Sequence, residues 1–303
     1  MRHHQTRFIV GFLAIPIAMY LVFVISPFGQ AFYYSLTDWT GVSPDFTFVG
    51  LENFRTLAND EMFRTALSHN LLLLVFLPLF TLSLALFFAF LLNVGGRSNS
   101  AGVQGVRGNG FYKLAFFLPQ VLSVPVIAVI WSVLMSSESS GLLNSVAGLF
   151  GLGPYGFLGD PNMALMCVLW VLVWGGVGFY LVLFNAAMSS IPRDIFEAAI
   201  IDGAGRVSTF FRVTLPLLWD TIQTSWVFLA ILALDAYALV AVMTAGPGGP
   251  DNSTQVIALQ IADYGFQYGR AYYASAMGVV LFFLTLLISA VLLRATRRER
   301  IEY

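Results

Sequence analysis

Lysine and cysteine each occur once in these 303 residues, histidine three times, and only 10% of the chain is charged. Each scarcity removes a class of protein. A chain this long with so little charge cannot keep the surface of a soluble domain wet. The lone Cys167 lies inside an apolar run, which excludes a disulfide framework and a cysteine-based metal site. His3 and His4 belong to the N-terminal tail and His69 to the mouth of an apolar run, so no group of ligand-type residues has metal spacing. The single lysine also removes nucleotide hydrolysis. A phosphate-binding loop needs G-x-x-x-x-G-K-[ST], because that Lys meets the phosphates, and Lys113 stands between Tyr112 and Leu114.

What the sequence has in abundance is apolar length, since 58% of it is hydrophobic. Crossing a bilayer as helix takes about 20 apolar residues. Six runs reach that length, near Phe8–Ser26, Leu71–Val94, Leu114–Met135, Ala164–Met188, Thr221–Met243 and Ala274–Leu293. The first outlasts a signal-peptide core and precedes no A-x-A site, so it is read as a retained span. Pro16, Pro78, Pro119 and Pro125 fall inside spans, which a packed bundle tolerates as kinks. The expected fold is an all-α, polytopic membrane protein: one transmembrane domain over residues 1–303, with no inserted soluble domain. Basic residues orient it. Twelve of the fifteen fall on the side of both termini, and only Arg55, Arg64 and Arg270 on the other. Positive charge marks the cytoplasmic side, so both termini are expected there.

Between spans, Gly95–Gly110 reads as a flexible basic linker and Thr244–Thr254 as a tight external turn. The cytoplasmic loop 189–219, SSIPRDIFEAAIIDGAGRVSTFFRVTLPLLW, is the most informative stretch. Pro192 suits the first turn of a helix, and Asp194 and Glu197 put negative charge where the helix dipole favours it. Gly203 and Gly205 interrupt that helix, and a second piece begins around Phe210 and is expected to end at Pro216. Phe196, Ile200 and Phe210 form an apolar knob flanked by charge, the mark of a partner surface.

This loop resembles the EAA loop of ABC importer permeases: Glu197, Ala198 and Ala199, then Asp202, Gly203 and Ala204, then Leu215 and Pro216. Phe48-Val49-Gly50-Leu51-Glu52-Asn53-Phe54 resembles an FVGLxNF element of sugar permeases. Leu118-Pro119, Gly141-Leu142-Leu143-Asn144, Trp174 and Gly248-Gly249-Pro250 with Thr254 fit as well. Thr244 stands two residues early for the TxGGPxxxT turn, and Asp220 replaces a frequent Pro. The resemblance covers nearly the whole chain and is to the maltose-type, carbohydrate-uptake group of binding-protein-dependent inner-membrane components.

That resemblance implies a bacterial inner-membrane permease without enzymatic activity, forming half of a translocation path that works by alternating access. Its implied partners are a second, different permease, two ABC ATPase subunits, an extracytoplasmic sugar-binding protein and membrane lipid, with no nucleic acid. This chain would bind no cofactor, ATP and magnesium residing on the ATPases. The loop residues just named would dock on an ATPase. For the pathway the candidates are Asp235, the only acidic residue deep within a span, and Trp174, Tyr180, Asn185, Gln120 and Tyr237. Intramembrane carboxylates are costly, and aromatic faces with polar tips suit sugars, although helix packing uses the same residues. Two other readings stay open: import of glycerol-phosphate or its diesters by the same architecture, and a polytopic membrane enzyme.

Overall fold

The computed structural model describes residues 2–94, 108–137, 141–244, 246 and 248–295. Most of the 95–110 linker and the basic tail beyond Arg294 therefore lie outside the described residues, Arg97, Arg107, Arg297, Arg298 and Arg300 among them. The described chain is helical, with one isolated antiparallel bridge, Thr37 to Phe48.

Its helices are α1 (Arg2–Tyr20), α2 (Ser26–Tyr34), α3 (Glu52–Asn59), α4 (Glu61–Val94), α5 (Asn109–Val121), α6 (Val124–Leu134), α7 (Leu142–Leu149) and α8 (Pro161–Ser189). Then come α9 (Arg193–Ile201), α10 (Arg206–Thr209), α11 (Leu215–Leu217), α12 (Trp219–Leu234), α13 (Tyr237–Met243), α14 (Ile257–Ala262) and α15 (Ala271–Ala295).

Among the described residues, four unbroken stretches are long and apolar enough to span: Gly11–Tyr34, Glu61–Asn93, Pro161–Ser189 and Ala271–Arg294. Two bent pairs bring the number to six if each is one span: α5 with α6, bent by 97°, and Arg206–Leu217 with α12, bent by 67°. The run expected to end at Ser26 continues as helix to Tyr34. A π-helical stretch, Leu21–Ile25, joins α1 to α2 there and relieves the clash that Pro27 would otherwise impose on the preceding turn. The third run is broken at Leu122 and Ser123, both extended, with Pro125 in the first turn of α6 where its missing N–H costs nothing.

The chain divides into two compact units. The first comprises residues up to Arg64 with Gln260–Leu284. Here the FVGLENF element closes a clip behind α2. Asn53, 6% exposed, donates to the carbonyls of Ser35 (2.8 Å) and Thr37 (2.7 Å). Gly50, at φ +63, lets the chain turn so that the Val49 and Gly50 amides both reach the Leu36 carbonyl. Asp60 caps α4 through the amides of Met62 and Phe63 and accepts from the Tyr273 hydroxyl at 2.6 Å. The Thr47 amide and hydroxyl hold the Asp38 carboxyl below the ordinary carboxylate range.

The second unit comprises Thr65–Leu259 and the residues from Thr285 onward. Its core is apolar on several helices at once: Leu73 and Leu77 of α4, Val168, Leu181 and Phe184 of α8, and Leu229 of α12 are all inaccessible. Helix α5 packs on α8, and α13 packs on α6 and α8. Gly178 marks the tightest crossing. A Cβ built there would stand 2.5 Å from the Phe116 carbonyl carbon and 2.9 Å from Phe117 Cα. Small residues let spans approach to backbone contact, and here nothing larger than hydrogen fits.

Candidate coupling surface and pathway residues

The loop between α8 and α12 is built around α9, which is sided in a way its sequence encodes. Asp194, Glu197, Ala198 and Ile201 are exposed, at the i, i+3, i+4, i+7 spacing of one helical face. Phe196 and Ala199, 7% and 8% exposed, face the other way, with Ile191 buried beside the helix start. The Glu-Ala-Ala triplet is thus split: its first two residues look outward and its third anchors the helix.

The Asp202-Gly203-Ala204 segment terminates α9. The Gly203 amide donates to the Ile200 carbonyl (3.0 Å) and the Ala204 amide to the Ala199 carbonyl (2.9 Å), with Gly203 at φ +75. This pair of bonds around a left-handed residue is the Schellman arrangement, for which glycine is the least strained occupant. Gly205 then starts α10, its carbonyl accepting from the Thr209 amide at 2.9 Å.

Two expectations need correction here. Phe196 and Phe210 are not part of an exposed knob. Phe210 packs against Phe90 of α4, with ring centroids 4.6 Å apart and the planes tilted by 56°, and is 7% exposed. The outward apolar residues are Ile200 (51%), Ile201 (85%), Val207 and Phe211. Nor does Pro216 end the second helical piece. A π-helical stretch, Phe210–Thr214, precedes it, the helix runs on through Leu217, and the 67° bend falls at Leu218. The wider winding at 210–214 accommodates the missing proline donor, so the chain bends after Pro216 rather than stopping. Leu215 and Pro216 are half-buried in this bend, apart from the outward stripe of α9.

The pathway candidates separate by exposure. Gln120, at the end of α5 beside the 97° break, is exposed. Trp174 is 37% exposed and meets Trp131 edge-on at 5.3 Å. Tyr180 and Asn185, further along α8, are 7% exposed each, and the Asn185 Oδ1 has no hydrogen-bond partner among the described residues. Asp235 and Tyr237 flank a second interruption. Asp235 (φ −106, ψ 40) and Ala236 (φ −79, ψ 18) leave helical geometry between α12 and α13. Both Asp235 and Tyr237 are exposed. No hydrogen bond or ring contact joins any two of these six among the described residues; what they share is placement on α5, α8 and the α12–α13 break.

Asn70 is a polar residue that reading the sequence missed. Fully buried on α4, it donates to the Ala233 carbonyl (2.9 Å) and accepts from the Ile257 amide (2.9 Å). The signal was present, an amide one residue ahead of an apolar run, where unpaired polar groups are expensive. Beside it His69 Nδ1 bonds the Gln255 carbonyl at 2.8 Å. The Gly248-Gly249 turn closes against the same segment: the Thr254 amide reaches the Gly248 carbonyl (2.8 Å), and its hydroxyl meets that of Thr244 (3.2 Å). A metal-binding group of three or more His, Cys, Asp or Glu is absent among the described residues.

In the first unit, a cavity of about 330 Å³ is lined by Asp38, Glu52, Asp60, Arg270, Tyr272 and Tyr273, among others. Burial pushes the nearby-in-sequence Asp263 carboxyl above its ordinary value.

Residues 62–300 match the family described as "Binding-protein-dependent transport system inner membrane component". The chain is 43% identical over 298 residues to the diacetylchitobiose uptake system permease protein NgcF of Streptomyces coelicolor, covering 97% of this chain and 83% of that one. It is 30% identical to the multiple sugar-binding transport system permease protein MsmF of Streptococcus mutans, covering 95% and 94%. Its fold matches a chain in the crystal structure of a bacterial ABC transporter involved in the import of the acidic polysaccharide alginate. The TM-score is 0.83, at 22% identity and 98% coverage of both chains.

Proposed function

The chain belongs to the binding-protein-dependent transport system inner membrane components, and from that premise we propose that it conducts a di- or oligosaccharide. It is a permease subunit of an ABC importer for sugar, not an enzyme. It forms half of the pathway, beside a second, different permease, and two cytoplasmic ATPases close beneath the pair. Both termini face the cytoplasm on this reading. The outer segments around residues 35–60 and 263–270 receive the sugar-loaded binding protein.

The observation that carries this reading is the sidedness of α9. A helix that buries Phe196 and Ala199 while presenting Asp194, Glu197, Ala198 and Ile201 has an unpartnered face of mixed charge and apolar character. Such a face fits a cleft on a partner subunit. The turn at Gly203 and the bend beyond Pro216 connect that helix to α12. Closure of the ATPases would thereby reach the α12–α13 break where Asp235 stands. Exposed Trp174, Tyr237 and Gln120 offer an aromatic face and hydrogen-bonding groups for a sugar, with buried Tyr180 and Asn185 supporting α8. ATP and magnesium reside on the ATPase subunits.

Uptake of labelled solutes by cells with and without this chain tests the proposal. The panel is diacetylchitobiose, a maltose-type disaccharide, a longer oligosaccharide, a monosaccharide and a glycerophosphodiester. Loss of one disaccharide or oligosaccharide on deletion, restored by the wild-type gene, is expected. Loss of the glycerophosphodiester alone would replace the substrate class, and loss of none would remove the importer reading.

A further inference from the structure

Helix α12 ends in the middle of an apolar stretch without a glycine or proline to end it: the residues are Leu232-Ala233-Leu234-Asp235-Ala236-Tyr237. A break in the hydrocarbon region leaves backbone groups that must be satisfied from elsewhere in the protein. One of them, the Ala233 carbonyl, is met by a side chain of α4 that also holds the start of α14. Asn70, with no accessible surface, gives its amide hydrogens to the Ala233 carbonyl and takes the Ile257 amide on its Oδ1, both at 2.9 Å. Ala233 belongs to the last turn of α12, and Ile257 is the first residue of α14, whose N–H has no partner within its own helix. The two are 163 and 187 residues from Asn70 along the chain. The adjacent His69 makes a single further bond to this segment, from Nδ1 to the Gln255 carbonyl.

We infer that Asn70 is a positioning residue that holds the α12–α13 break open, so that Asp235 stands in water on the substrate path. This rests on the pathway reading of Asp235. Only a carboxamide serves both ends of this bridge. An aspartate retains the acceptor for Ile257 but sets a second acceptor against the Ala233 carbonyl, and a leucine retains volume but neither bond. Losing the bridge lets α12 rewind through Asp235 toward the α13 register, which withdraws the carboxylate from its exposed position. Asn70 acts through the backbone two residues before Asp235 and itself touches no solute.

The test measures exposure directly and needs no knowledge of the sugar. In the assembled transporter, with Cys167→Ser removing this chain's only native thiol, Asp235→Cys is labelled from outside by a membrane-impermeant thiol reagent, and labelling is read on the band of this chain. A second cysteine, Trp174→Cys, reports on α8 in parallel. With Asn70 intact, Asp235→Cys is expected to label. Adding Asn70→Leu is expected to slow that labelling about tenfold or more, and Asn70→Asp less, while Trp174→Cys labels as before. If Asp235→Cys does not label with Asn70 intact, the pathway reading of Asp235 fails and takes the inference with it. If it labels equally in both backgrounds, or if Asn70→Leu slows both cysteines alike, the inference alone is overturned. A merely structural Asn70 would produce that last pattern. Should Asn70→Leu not assemble, the Asn70→Asp arm decides on the same criteria.

Discussion

Gly175 and Gly178 lie three residues apart on α8, yet the structure assigns them opposite tolerance. At Gly175 an added Cβ meets only Ile127 Cδ1, at 4.0 Å, an ordinary contact. At Gly178 it runs into the backbone of α5, overlapping the Phe116 carbonyl oxygen and standing 2.5 Å from its carbon and 2.9 Å from Phe117 Cα. Carbon atoms rest about 3.5–4.0 Å apart, so α5 and α8 must separate by at least about 1 Å, and no side-chain rotation can avoid it. Overpacking of this kind costs about 1–3 kcal/mol, and backbone against backbone lies at the upper end. Gly178→Ala should therefore destabilise by about 3 kcal/mol. Gly175→Ala should be neutral or gain up to about 1 kcal/mol from helix propensity. The assay is thermal inactivation of the detergent-solubilised transporter, followed by retention of the assembled complex after heating. Gly178→Ala is expected to lower the midpoint by several degrees and Gly175→Ala to leave it unchanged or raise it by up to about 4 °C, at roughly 2–4 °C per kcal/mol for domains of 150–250 residues. Equal midpoints for the two variants would refute the α5–α8 backbone contact.

Two further substitutions probe other joints. Gly203→Ala places a side chain at φ +75 with open space around it, so its cost is conformational alone, about 1–2 kcal/mol. Asn, which tolerates that region, should recover part of it, and uptake rates of the two variants compared with wild type check the order. Asn53→Ala leaves the carbonyls of Ser35 and Thr37 without their donor, at a cost of about 1–3 kcal/mol. Limited proteolysis should then cut the 35–51 segment faster, whereas an unchanged digestion pattern would mean that the clip does not depend on Asn53.

How much of this was legible beforehand follows from where each determinant lies in the chain. The apolar runs and the sidedness of α9 are local. Asp194, Glu197, Ala198 and Ile201 have the spacing of one helical face, but the spacing alone does not say which face is buried, and Phe196, expected outside, is buried in the structure. The burial of Phe210 was not legible, because its partner Phe90 lies on α4, 120 positions away by their numbers. The same holds for the break at Asp235: no glycine or proline marks it, and the residue that stabilises it is Asn70. The interruption at Leu122–Ser123 had a local cue, Pro119 and Pro125 flanking it, but hydropathy ran straight through, so the span looked continuous. Gly175, Gly176 and Gly178 are indistinguishable in sequence, and only the position of α5 singles out Gly178.

If α9 presents Glu197 to an ATPase, transport depends on that residue. Glu197→Arg, introduced on an exposed residue of an intact helix, should leave the permease in the membrane at its normal level. Measured together, ATPase co-purification with the permease and sugar uptake should both fall at least tenfold. Normal co-purification with normal uptake in the Glu197→Arg form would mean that α9 does not couple this chain to an ATPase through Glu197.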